Sequence, residues 1–171
     1  SQYERTFDDR SMSMSHQPAD HRVTPDDLLD SVAAILAGEP DLIANAANVA
    51  ALLFEALPRI NWAGFYFLRD DQLVLGPFQG RVACTRIPLG KGVCGTAATS
   101  RETIVVADVH AFPGHIACDA ASASEIVVPL LAGDRLIGVL DIDSPIPDRF
   151  TPQDRQLVEA VAALLVRALP A

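Results

Sequence analysis

"EIVVPLLAGDRLIGVLDID", residues 125–143, decides how this chain folds. Two apolar runs flank Gly133-Asp134, a dipeptide that suits a two-residue hairpin turn, so the stretch predicts two antiparallel strands. Strand alternation in the second run places Val139, Asp141 and Asp143 on one face and Leu140 and Ile142 on the other. Two acids on one side of an apolar strand are an ordinary solvated face unless something faces them.

Upstream, "RINWAGFYFLR" (59–69) reads as a strand that turns at Asp70-Asp71 into "QLVLGPFQG" (72–80), a second hairpin. The first of these places Trp62, Gly64 and Tyr66 on one face. Facing Asp141 and Asp143, the two rings would form an aromatic wall over an anionic floor, suited to a small ligand with an ammonium and an apolar or soft group. Glu125 fits less simply. A two-residue turn at 133–134 pairs Glu125 with Ile142, on the wrong face, so convergence of the three acids requires a bulge, and Pro129 is where one would be tolerated.

Helical patterns close both ends. "VTPDDLLDSVAAILAG" (23–38) has Thr24 as N-cap, Pro25 in the first turn and Gly38 as its stop. "DLIANAANVAALLFEAL" (41–57) follows, ended by Pro58. "TPQDRQLVEAVAALLVRAL" (151–169) is an amphipathic helix capped by Thr151. "VACTRIPL" (82–89) and "ETIVVAD" (102–108) read as shorter strands, and 108–124 carries no pattern. Helices at the two ends and hairpin-linked strands between them predict an α+β fold, an antiparallel sheet flanked by N- and C-terminal helices. Residues 1–22 lack a hydrophobic period and are read as a disordered leader, in part a scar of expression, leaving 23–171 as one domain.

Composition narrows the function. The 171 residues carry 13 Lys+Arg against 22 Asp+Glu, a net charge of −9 without a basic stripe, which argues against a nucleic-acid partner. The most apolar stretch, "IANAANVAALLF", contains two Asn and is too short to span a membrane. Three cysteines, an odd number, do not close a disulfide framework and point to the reducing cytoplasm.

"GKGVCG" (90–95) matches the letters of a dinucleotide fingerprint, with Asp108 downstream. No parallel βαβ pattern surrounds it, and its glycines are read as serving a tight helix start. Neither a cofactor nor a metal-ligand spacing is read. Cys84 falls within a predicted strand, where a buried inert thiol is the expectation. Cys94 falls at a helix start, where unpaired N–H groups lower a thiol pKa. Cys118 lies in "FPGHIACDAAS" (112–122), a loop in which His115 reads as solvent-exposed. The residues leave Cys94 and Cys118 as alternatives for a reactive thiol.

Together "NWAGFY", "GPFQG", "GKGVCG", "FPGHIACDAASASEIVVP" and "GVLDIDSP" resemble the GAF-domain free methionine-(R)-sulfoxide reductases, over nearly the whole chain outside the leader. The resemblance implies a single GAF domain that reduces free methionine sulfoxide. It implies Cys118 as the nucleophile that becomes a sulfenic acid, Cys84 as the thiol that resolves it into a disulfide, and Cys94 as an auxiliary. It also implies Trp62, Tyr66, Glu125, Asp141 and Asp143 as the substrate pocket, Glu125 and Asp143 being candidate proton donors, and thioredoxin as the reductant, with a homodimer as a candidate assembly. The rival expectation is a GAF module that binds a small ligand without catalysis.

Overall fold

Thr24 accepts a hydrogen bond from the Asp27 backbone N–H and starts α1 (Pro25–Leu36), which Gly38 ends just beyond it with φ +75°. Asp41 caps α2 (Leu42–Ala56) in the same way. In this computed structural model the described residues are 23–116 and 121–171; the leader and Cys118 lie outside them.

Among the described residues, six strands follow the hairpin pattern: β1 (Trp62–Arg69), β2 (Gln72–Gly80), β3 (Arg86–Pro88), β4 (Ile104–Val106), β5 (Ser124–Ala132) and β6 (Arg135–Ser144). Their order across the sheet is β3-β2-β1-β6-β5-β4, and every neighbouring pair is antiparallel. The α+β expectation therefore holds, and a parallel dinucleotide-binding unit is excluded among the described residues. Gly92, at the start of α3 (Gly92–Ser100), has φ +63°, and a Cβ on Gly95 would come within 2.5 Å of the Pro88 carbonyl oxygen. The glycines thus serve the turn into a helix that packs closely on the preceding strand.

Helices α1, α2 and α4 (Pro152–Arg167) cover one face of the sheet. Leu28, Val32, Val49, Leu53, Val161 and Leu165 meet Phe65, Ile126, Leu140 and Ile142 there in a dry apolar core. A capping box fixes the start of α4, with the Asp154 N–H donating to Thr151 and the Thr151 N–H donating to Asp154. The opposite face carries α3 and a second, smaller core that includes Trp62, Tyr66, Cys94, Val127 and Val139.

Two expectations are corrected here. The predicted strand 82–89 is ordered as strand only over Arg86–Pro88, so Cys84 sits in the irregular segment before β3; it is half-buried and engaged in a disulfide rather than a buried inert thiol. The bulge that sets Glu125 exists, but not at Pro129. Leu131 pairs with Leu136 whereas Leu130 pairs with Gly138, so Ile137 is the extra residue. β4 pairs with β5 only as far as Val127, which leaves Pro129 on an open edge where its missing N–H disrupts no ladder.

Candidate active site

The Ile137 bulge shifts the β5–β6 register by one residue, and with it the side chains that share a face. Trp62 now pairs with Asp143, and Asp143 with Glu125, in one row across three strands. The next row on that face is Gly64, Asp141 and Val127, and the next is Tyr66, Val139 and Pro129. The two rings and the three acids named from sequence thus share one face.

Gly64 is what lets the aromatic wall lie flat. A Cβ there would overlap Phe78 Cβ and come within 2.8 Å of Trp62 Cη2. The Trp62 ring stacks with Phe78, at 5.2 Å, and with Tyr66, at 5.9 Å, and its Nε1 donates to the Arg81 carbonyl oxygen at 3.1 Å. Phe78 was not among the sequence candidates. Its signal was the register of the first hairpin, which a second bulge opposite Phe65 obscures.

Helix α3 and two loops close the other side. Lys91, Val93 and Cys94 come from the start of α3, Val82 and Ala83 from the segment before β3, and His115, Ile116 and Ser122 from the loop before β5. His115 is half-buried at the cavity lining rather than solvent-exposed, with its ring edge-on to His110 at 5.9 Å. Its partial burial, and then the neighbouring His110, lower its pKa, while Asp108 opposes the shift. Lys91 was missed because nothing in a helix-start lysine distinguishes a cavity wall from solvent.

Burial governs the electrostatics. Glu125 is 8 % exposed and Asp141 is 4 % exposed, and Asp141 Oδ1 has no hydrogen-bond partner among the described residues. Loss of hydration, then the negative field of Asp143, pushes the Asp141 carboxyl up to about 8. Glu125 is raised for the same reason, burial first and then the neighbouring Asp141. Burial and the surrounding acids raise the Tyr66 hydroxyl as well.

Cys94 departs most from expectation. Its Sγ lies 4.0 Å from Glu125 Oε2, it is buried, and it is a free thiol. Burial, followed by Asp141, Glu125 and Asp143, pushes its pKa well up, overriding the lowering anticipated from the start of α3. Cys94 is therefore a protonated thiol near neutral pH. Cys118, the alternative, lies outside the described residues.

An antiparallel sheet with helices on one face and a small cavity on the other, aromatic on one wall and acidic on its floor, defines a small-molecule-binding α+β domain. The GAF domain family matches residues 25–169. The chain is 57 % identical over 136 residues to the free methionine-R-sulfoxide reductase of Escherichia coli, covering 80 % of this chain and 82 % of that protein. Among solved structures, the reduced form of fRMsr of Staphylococcus aureus matches with a TM-score of 0.85 and 51 % identity, covering 88 % of this chain and 97 % of that one. The free methionine-R-sulfoxide reductase of Neisseria meningitidis, solved in complex with its substrate, matches with a TM-score of 0.83 and 45 % identity over 88 % and 90 % of the two chains. The chain belongs to the GAF-domain family and, within it, to the free methionine-R-sulfoxide reductases. No helix among the described residues is long and apolar enough to cross a membrane.

Proposed function

We propose that this protein reduces free methionine-(R)-sulfoxide to methionine with its own thiols. The observation that carries the reading is the in-register row of Trp62, Asp143 and Glu125 with Asp141 beside it, an aromatic and acidic pocket on one sheet face. In this reading the rings of Trp62 and Tyr66 hold the sulfur end of the substrate. Asp143, the most exposed of the three acids, receives the α-ammonium, and Lys91 at the rim supplies the counter-charge for the carboxylate.

The Cys118 thiolate attacks the sulfoxide sulfur while the buried acid pair delivers a proton to the departing oxygen. The thioether leaves as methionine, and the oxygen remains on Cys118 as a sulfenic acid. Asp141 suits the proton-donor role because burial pushes its carboxyl up to about 8, and Glu125 beside it is raised by burial too. The Cys84 thiolate then attacks the sulfenic sulfur, expelling water and forming a disulfide, before the acid can oxidise further. That Cys84 is disulfide-bonded while Cys94 is free supports this assignment. Cys94, protonated and buried, is left as an auxiliary.

Thioredoxin in the cytoplasm is the proposed source of the two electrons that reopen the disulfide, and a homodimer is the proposed assembly. The test is a thiol-dependent assay on free methionine-(R)-sulfoxide, followed by methionine release. Turnover is expected, and its absence with both dithiothreitol and thioredoxin as reductant would sink the proposal.

A further inference from the structure

Cys94 has no necessary place in the reduction, yet it stands beside two buried acids. One ligand atom each from Cys94, Glu125 and Asp141 lie within 4.8 Å of one another, and all three side chains are buried. Three different elements, α3, β5 and β6, bring them together. A cluster of this kind is often only a hydrogen-bonded knot, but here Asp141 lines the cavity and its buried Oδ1 has no partner among the described residues. No donor among the described residues reaches that oxygen.

We propose that Cys94, Glu125 and Asp141 form a binding site for a thiophilic divalent cation of the zinc class, and that the bound cation closes the pocket to methionine sulfoxide. The donor set selects the metal. Magnesium and calcium require oxygen cages of six or more ligands, whereas one thiolate and two carboxylates suit a four-coordinate cation. Zinc–sulfur and zinc–oxygen bonds of about 2.3 and 2.0 Å place ligand atoms roughly 3.5 Å apart on a tetrahedral centre, so the three atoms need to draw together by about 1 Å. Glu125 has the rotatable length to do this. The cation replaces the Cys94 proton and those held by Asp141 and Glu125, which leave to solvent, and no redox change occurs. Three protein ligands leave a fourth position open to water from the cavity, which makes the site exchangeable rather than structural.

Binding stands on the geometry alone; the blocking of methionine sulfoxide rests on the reductase reading. Both are tested on the Cys84→Ser/Cys118→Ser double variant, in which Cys94 is the only remaining cysteine of the three. Titration with Co2+ alone is expected to give a near-ultraviolet thiolate-to-cobalt band and the visible bands of a four-coordinate ion. Adding Cys94→Ala removes the ultraviolet band, and adding Asp141→Asn or Glu125→Gln weakens Co2+ binding at least tenfold, with circular dichroism confirming that each variant is folded. No band, or a band of unchanged affinity in both carboxylate variants, overturns the site. Methionine sulfoxide is expected to displace Co2+ from the double variant without being consumed; Co2+ binding that is indifferent to saturating methionine sulfoxide overturns the blocking. Failure of the reductase reading itself shows separately, as absent methionine release from metal-free wild-type protein.

Discussion

The two faces of the sheet are built from the same strands, and each buries side chains, but with opposite consequences. On β6, Leu140 and Ile142 point toward α1, α2 and α4 and are wholly surrounded by apolar side chains. One residue along, Asp141 is also buried on the other face, with one oxygen unpartnered among the described residues. Burial stabilises the first face and destabilises the second, because loss of water favours a methyl group and disfavours a carboxylate. The helix-backed face holds the molecule together, and the acidic face stores unfavourable electrostatics that chemistry can use.

The sharpest separation of the faces is Cys118→Ser. Turnover is expected to be lost by three or more powers of ten with the thermal stability of the fully reduced protein unchanged, since in that state only the chemistry is removed; methionine release at a wild-type rate would move the nucleophile elsewhere. Next is the substrate itself. N-acetyl-methionine sulfoxide lacks the ammonium and would leave a pocket carboxylate without an ionic partner, which by analogy with broken buried pairs costs about 3–5 kcal/mol. Its kcat/KM is therefore expected to fall by roughly two to four powers of ten, and equal values for the two substrates would remove the binding role of the acids.

Asp141→Asn tests the stored electrostatics directly. Activity is expected to fall by about a hundredfold or more, the usual scale of a lost proton donor, and the alkaline limb of the wild-type pH–rate profile near 8 is expected to disappear. Stability is expected to move the other way. Below pH 4 Asp141 is protonated in both states and imposes no penalty. As pH rises, the unfolded carboxyl ionises first, near its ordinary 3.8, while the folded one resists until about 8, so stability drains away across that window. The variant is thus expected to melt above the wild type at pH 8–9, by on the order of a few kcal/mol, with the gain vanishing near pH 4. A lower melting temperature at pH 9 would contradict the account of the acidic face.

On the helix-backed face the expected effects are on stability alone. Leu140→Ala is expected to destabilise by about 2–5 kcal/mol, the scale of a core cavity, with KM for the folded protein unchanged. Thr151→Ala, which removes a cap from α4, is expected to cost about 1 kcal/mol and leave kinetics untouched. Denaturant melts with steady-state kinetics on the same samples check both, and a kinetic defect in either variant would show that the faces are coupled.

Local patterns determined most of this architecture. The Gly133-Asp134 turn, the Thr24 and Thr151 caps with their prolines, and the alternation in 59–69 and 135–144 are short-range signals, so both hairpins and the terminal helices were legible from residues a few positions apart. Trp62, Tyr66, Asp141 and Asp143 were legible as two pairs because alternation acts within a strand. What joined them was not. The Ile137 bulge sets the face on which Glu125 falls, and a bulge reflects how two strands twist together rather than what either contains. The thiol of Cys94 was misjudged for a related reason. A helix start lowers a thiol pKa by local dipoles, but the acids and the burial that outweigh them arrive from β5 and β6. Composition and spacing therefore determined which residues could carry the chemistry. Only the tertiary structure decided their charge, because ionisation answers to the water and the neighbours that folding removes or brings close.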